Sequence, residues 1–204
     1  MDLNRLEIEL KKRWSYPYHW GNKQNNDLDK ATNFIYKTYS FESLLKRTEY
    51  YDSPLKNYAF NRWYNFWSAM AAENIFTTHS NVEANKNKKD KLIDFKINNI
   101  PFDHKTSIFP FGFNKSYSFA RKNEKQLIQW FYDNQSQQGR KHLKNRLFIV
   151  VYDDRAKEHW KMKAEIRLIK SAIDEYIENF SVKNLYTFDF GEGEIFSDII
   201  WLTK

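Results

Sequence analysis

The sequence predicts an α/β protein with a helical extension at its N-terminus, and three observations predict it. Residues 57–79 place Phe60, Trp63, Tyr64, Trp67, Met70, Ala71 and Ile75 at helical spacing. Residues 92–98 and 100–106 read as two strands joined at Asn98-Asn99, a favourable pair for a two-residue turn. The run Arg146–Tyr152 is apolar almost throughout, the pattern of a strand buried on both faces.

The remaining elements follow in chain order. Met1 to Trp14 reads as a short amphipathic helix and not as a signal peptide. Residues 15–56 are rich in Tyr, Asn and Lys; Gly21 to Asn26 is a loop, and an interrupted helix starts after Asp27 or Asp29. Residues 1–56 are expected to form a helical and loop extension packed on a core of residues 57–204. Asn81 to Lys91 is a polar, Lys-rich connector. Pro110 and Gly112 end the hairpin unit, and Asn114 to Tyr117 is expected to be a mobile loop near the active-site end of its second strand. Residues 121–134 form an amphipathic helix, Gln135 to Asn145 a basic loop, and residues 158–180 another helix. Strands at Tyr186–Phe190 and Ile195–Leu202 flank the turn Gly191-Glu192-Gly193.

Composition narrows the function classes. Seven Trp, thirteen Tyr and seventeen Phe in 204 residues can bury a substantial core, which excludes wholesale disorder. The absence of cysteine excludes disulfides and thiolate metal sites. A net charge of +7 favours polyanionic partners. No apolar run approaches the roughly 20 residues that span a bilayer, so no membrane partner is expected and the natural setting is soluble and cytoplasmic. The five His residues lack metal-ligand spacing, and no nucleotide-binding glycine pattern occurs. Asp189-Phe190-Gly191 lacks the companion motifs of a kinase.

The hairpin carries the chemistry. With a turn at Asn98-Asn99, Ile97 faces Ile100 and Asp94 falls opposite Asp103. Alternation puts Ile93, Phe95, Ile97, Ile100 and Phe102 on a core face, and Asp94, Lys96, Asp103 and Lys105 on the other. Directly opposed Cβ atoms lie about 4.5–5.5 Å apart, where like charges repel. A divalent cation reverses that sign, and oxygen-only donors suit Mg²⁺ or Mn²⁺. A solvated face balanced by Lys96 and Lys105 is the plain alternative. Histidine aside, Glu73 is the only charged residue between Arg62 and Glu83, within a Trp- and Phe-rich helix. A carboxylate there needs a partner or a metal.

A helix bearing Glu73, then a hairpin with Asp94 on its first strand and Asp103-His104-Lys105 on its second, resembles the PD-(D/E)xK nuclease superfamily. Ile93 stands in place of the proline of the family name, and the resemblance covers residues 57–152. It implies a restriction-endonuclease-like core, a central mixed sheet flanked by helices. It implies that Asp94 and Asp103 ligate Mg²⁺ (or Mn²⁺), with the main-chain carbonyl of His104 as an extra ligand and Glu73 as a direct or water-mediated one. Lys105 would position and polarise the attacking water. The implied reaction is phosphodiester hydrolysis, chiefly by a DNA endonuclease of restriction or mobile-element type; RNA or branched DNA would suit the same residues. A catalytically silent nucleic-acid-binding or assembly protein on the same fold is the alternative, against which the retention of all four residues speaks.

Two basic clusters flank the hairpin unit: Lys86, Lys88, Lys89 and Lys91, and Arg140, Lys141, His142, Lys144 and Arg146. They are the candidate phosphate contacts. A homodimer is a natural arrangement, because two sites cut both strands of a duplex most simply.

Overall fold

The computed structural model describes residues 1–20, 24–87, 92–134, 143–191 and 193–204. The chain opens with α1 (Leu3–Lys12), where the Asp2 carboxylate accepts the Arg5 N–H at 3.0 Å. The interrupted helix expected after Asp27 is two short helices, α2 (Asn26–Ala31) and α3 (Phe41–Arg47), with a 3₁₀ turn at Asn33–Lys37 between them. Side-chain caps from Asn25 and Ser40 start both helices.

The central helix, α4 (Ser53–Phe76), is capped by Asp52, which accepts the Leu55 N–H at 2.9 Å, and carries Pro54 in its first turn. It is apolar around much of its circumference, so it must be covered on several sides. Its neighbours are α1, the Asn33–Lys37 turn, the sheet and a late helix, α7 (Ile166–Glu178). Leu6, Leu10, Ile35, Phe41 and Leu44 therefore share one core with Trp63, Ala71, Ile75 and Phe76. The indole N–H groups of Trp63 and Trp67 both donate to the Thr38 carbonyl, at 2.6 and 2.9 Å. Arg13 is fully buried; its guanidinium donates to Tyr16, Pro17 and Asn61, lies over the rings of Tyr18, Phe60 and Trp160, and is pushed down to about 10 by burial.

The sheet is mixed and has six strands: β1 (Val82–Ala84), β2 (Phe95–Ile97), β3 (Ile100–Ile108), β4 (Arg146–Tyr152), β5 (Tyr186–Asp189) and β6 (Glu194–Thr203), in the order β1-β2-β3-β4-β6-β5. β1, β2 and β3 are antiparallel neighbours, β4 runs parallel to both β3 and β6, and β5 is antiparallel to β6. Helices cover both faces. Leu147, Ile149 and Val151 pack towards α4 and α7. Phe148 and Val150 pack towards α6 (Glu124–Asp133), which follows α5 (Tyr117–Lys122). Arg146–Tyr152 is thus buried on both faces, as its composition predicts.

Three elements differ from the sequence reading. The connector Asn81 to Lys91 contains β1, a strand too short to show a period. The helix expected over residues 121–134 starts earlier and breaks at Asn123, where φ −135° and ψ 48° leave the helical region. The helix expected over residues 158–180 is a 3₁₀ run, His159–Ala164, followed by α7, with Glu165 at the break. The Glu165 carboxylate is held there by Lys11 at 2.7 Å and Lys204 at 3.0 Å.

Asn98 and Asn99 have φ of 47° and 69°, the left-handed pair of a type I′ turn. Replacing Asn99 with a β-branched residue should be costly there. We expect Asn99→Val to lose about 1–2 kcal/mol, seen as a lower urea midpoint at unchanged slope, while Asn99→Gly should match the parent or exceed it. Equal midpoints for all three would show that the turn tolerates any backbone.

Candidate active site

β3 pairs with β2 over Ile100 to Phe102, and with β4 from Asp103 to Ile108. Regular β2 pairing ends at Phe95 opposite Phe102, so Asp94 and Asp103 do not form the ladder pair expected from the turn. The Asp94 N–H instead donates to the Phe102 carbonyl at 2.9 Å, and its own carbonyl accepts the Asn85 N–H at 2.9 Å. Beyond that point the β2 side of β3 has no strand, and the His104 N–H needs another acceptor. Asp94 Oδ2 supplies it at 2.8 Å.

The same oxygen lies 2.7 Å from His104 Nδ1, and His104 Nε2 lies 3.2 Å from the Ala69 carbonyl of α4. Both ring nitrogens thus face acceptors, which only the imidazolium satisfies fully. Burial opposes that charge, but the Asp94 hydrogen bond and the charges of Asp94, Asp103 and Glu73 prevail and raise the His104 pKa. The ring packs against Phe95 and Phe76. Burial pushes Asp94 upward too, yet its bonds from His104 outweigh this and hold it below the usual carboxylate range.

Asp103 receives Arg146, whose Nε and Nη2 both lie 2.5 Å from Oδ2. Burial raises the Asp103 pKa first; Arg146 opposes and Asp94 adds to the rise. The two carboxyl groups lie close enough for the Asp94 charge to act on Asp103. Glu73, half-buried on α4, makes no side-chain hydrogen bond among the described residues; burial and then Asp94 raise it, with His104 opposing. Lys105 is more than a third open to solvent. Shelter around its ammonium, then Arg146, lowers its pKa, and Asp103 works against them.

The structure therefore places Asp94 against the His104 ring and Asp103 and Glu73 near enough for their charges to act on it, with Lys105 next along β3. The expected ligand role of His104 was its main-chain carbonyl; the side chain is the larger feature. Strand alternation puts it on the core face beside Phe102, where a histidine must find polar partners, and that signal was available in the sequence. Arg146, expected to contact phosphate from a loop, is instead buried at the start of β4 and faces Asp103. Asn114 to Tyr117 follows the far end of β3, roughly 16 Å of strand beyond Asp103, and so does not border these carboxylates. Tyr117 there stacks on Tyr152 at 4.1 Å.

Of the candidate nucleic-acid contacts, Lys86 and Lys144 are exposed. Lys88, Lys89, Lys91, Arg140, Lys141 and His142 lie outside the described residues, as do the neighbouring Gln135, Gln137 and Gln138. Both described lysines adjoin the site. Asn85, next to Lys86, donates to the Ile93 carbonyl at 2.8 Å, and Asn145, next to Lys144, accepts the Asp103 N–H at 3.0 Å.

Among the described residues no group of three or more His, Cys, Asp or Glu is arranged to hold a metal ion, and no helix is long and apolar enough to cross a membrane. Comparison with protein-family models, curated proteins and solved structures returns no match.

One further cation approaches this region. Lys163 is buried; its ammonium donates to Asn65 Oδ1 at 3.0 Å, and its carbonyl accepts from Ser68 Oγ at 2.9 Å. Burial, then the nearby Lys105 charge, lowers its pKa to about 8. Between pH 8 and the ordinary lysine value, the unfolded chain binds more protons here than the folded one, so stability rises with pH. We expect Lys163→Met to melt at a higher temperature than the parent at pH 7 in phosphate-free buffer. The gain should be on the order of 3 kcal/mol from the pKa depression, less about 1 kcal/mol for the lost hydrogen bond. The difference should shrink as pH rises from 8 towards 10.5, the ordinary lysine value. A gap that stays constant with pH would show that Lys163 is not strained by its charge.

Proposed function

We propose that this chain is a metal-dependent nuclease of the PD-(D/E)xK kind, hydrolysing phosphodiester bonds with DNA as its substrate. The proposal is supported chiefly by one gathering of side chains: Asp94 and Asp103 beside His104 and within range of each other's charge, Glu73 within range of Asp94 and without a side-chain hydrogen bond among the described residues, and Lys105 two residues beyond Asp103. The order of α4, the β2–β3 hairpin, α5 and α6, and a parallel β4 accords with a restriction-endonuclease-like core.

The donor set fits Mg²⁺ in its chemistry. That ion keeps several waters and is usually held by one or two carboxylates plus substrate phosphate, not by a cage of protein ligands. Asp94 and Asp103 would hold it, with Glu73 through water and the His104 carbonyl, on the unpaired edge of β3, as a further oxygen. The raised pKa values of Asp103 and Glu73 reflect sheltered like charges that a cation would relieve. When bound, the ion supplies Lewis-acid polarisation of the phosphate and a more acidic water. His104 orients Asp94 through two hydrogen bonds, and Arg146 fixes Asp103. Lys105 orients the attacking water and offsets charge developing on the phosphate oxygens.

A second reading is favoured by a separate observation. His104 and Arg146 already compensate Asp94 and Asp103, which would suit a silent nucleic-acid-binding protein. Incubation with plasmid, linear duplex, single-stranded DNA and RNA, in Mg²⁺, Mn²⁺ or EDTA, separates the two. We expect cleavage that EDTA stops, with Asp103→Ala and Lys105→Ala each reducing it at least a hundredfold, on the order of losing one charge-stabilising group. Full activity in both variants would overturn the assignment, and binding without cleavage of any substrate would establish the silent reading.

Nucleic-acid contact is tested independently of cleavage. Charge reversal at Lys86 and Lys144, measured in EDTA, should weaken DNA binding. It should also flatten the slope of log affinity against log salt by roughly one per lysine. An unchanged slope would mean that neither residue meets a phosphate.

A further inference from the structure

The unpaired edge of β3 borders a cavity of about 420 Å³ between that strand, α4, the segment carrying Tyr18 and Trp20, and the 3₁₀ run that carries Lys163. Its size lies in the range of small-molecule sites. Three features mark it as a site for an anion. None of the lining residues is Asp or Glu, while Lys105 and Lys163 both line it. The Lys163 ammonium is buried, and among the described residues its side chain bonds only to Asn65 Oδ1. An ammonium has three protons to donate, so Lys163 retains donors, and a buried cation without a counter-ion is costly.

The third feature is Thr106, whose Oγ1 is a buried hydroxyl oxygen with no hydrogen-bond partner. Its backbone adds to this. Even-numbered N–H groups of β3 turn towards the β2 side, as the ladder at Ile100 and Phe102 and the His104 bond to Asp94 show. Thr106 has no β2 residue opposite it. The lining thus combines a buried ammonium, an orphan hydroxyl and an unpaired strand edge with Lys105. Tyr18 and Trp20 also line it and add aromatic surface.

We propose that this cavity binds the phosphate group of a ligand of mononucleotide size, with the phosphate against Lys163 and Thr106 and the ring system against Trp20. An oxyanion suits the donors because it accepts several hydrogen bonds at once and carries the charge that Lys163 lacks. Tyr18 and Trp20 supply the aromatic surface for the rest of such a ligand. The cavity adjoins the candidate active site and shares His104 and Lys105 with it, but Glu73, Asp94 and Asp103 do not line it, and phosphate binding here does not require that those carboxylates cleave anything.

Titration calorimetry and Trp fluorescence in EDTA test this with three probes: adenosine 5′-monophosphate, inorganic phosphate and adenosine. EDTA silences metal-dependent cleavage, so the outcome is separate from that of the nuclease assay. We expect the nucleotide to bind, inorganic phosphate to displace it, and adenosine to bind at least tenfold more weakly. Lys163→Met should weaken nucleotide binding roughly tenfold or more, the usual loss for a charge-assisted hydrogen bond, and Thr106→Val should weaken it several-fold. Lys183→Glu, at an exposed position that does not line the cavity, should leave it unchanged. Failure of both phosphate-bearing probes to bind would overturn the proposal. So would equal affinity for adenosine and its monophosphate, or undiminished binding by folded Lys163→Met and Thr106→Val proteins.

Discussion

β3 changes partner between Phe102 and Asp103, and the rest of the site depends on how the backbone accommodates that change. Its first three residues bond to β2 and its last six to β4. Each handover leaves a polar edge without a strand, and buried backbone groups seldom go unpaired. Polar residues from the two flanking connectors close the gaps. Asp94 takes the His104 N–H on one side. On the other, Asn145 takes the Asp103 N–H, donates its amide to the Pro101 carbonyl at 3.0 Å, and accepts the Phe196 N–H at 2.8 Å. The carboxylates converge at this point because the sheet needs acceptors there.

His104 turns this edge repair into a three-element junction. Its ring joins β3 to Asp94 ahead of β2 and to the Ala69 carbonyl of α4. Sheltering an imidazolium and a carboxylate costs several kcal/mol per ion, which good geometry and extra hydrogen bonds must offset. The pair has both: Asp94 accepts from ring and main chain together, and Phe76 and Phe95 flank the ring. Loss of either partner would leave the other sheltered and unpaired. Arg146 and Asp103 repeat the arrangement one residue away, and the Asp94 charge reaches Asp103, so a change of charge at one carboxylate is felt by the other.

Much of this was legible in the sequence, and the illegible parts share a cause. The Asn98-Asn99 turn, the buried Phe95, Ile97 and Phe102 and the two-faced β4 follow from local rules of turn chemistry and alternation. Glu73 stood out because one charge in an apolar helix has few destinations. The failures lie where a long-range contact overrides a local pattern. Strict alternation paired Asp94 with Asp103 across the ladder, whereas the open edge of β3 drew the Asp94 carboxylate to His104. Arg146 looked like the end of a basic run, and only the β3–β4 register, Asp103 opposite Arg146, turns it into a partner. Lys163 gave no signal at all, since its burial depends on α4 supplying Asn65 and Ser68 from about a hundred residues earlier in the chain.

The order of charge along the free edge of β3 bears on how a polyanion would lie against it. Asp94 and Asp103 lie at the start of that edge with Glu73 of α4 near Asp94, and Lys105 and, from the neighbouring 3₁₀ run, Lys163 line the cavity further along it. Two unit charges about 8 Å apart interact by roughly 2 kcal/mol at an effective dielectric constant near 20. That is enough for the carboxylates to repel a phosphate placed beside them and for the lysines to hold it away. Under the functional reading proposed above, a divalent cation at the carboxylates would reverse the first effect and leave the second. A phosphodiester could then approach Asp94 and Asp103 while a neighbouring phosphate stays on the lysine side. Lys105, between the two regions on the same strand, would face both. Its position, more than its basicity, is what such a division of labour requires, because a cation fixed by strand register cannot follow the substrate to either end.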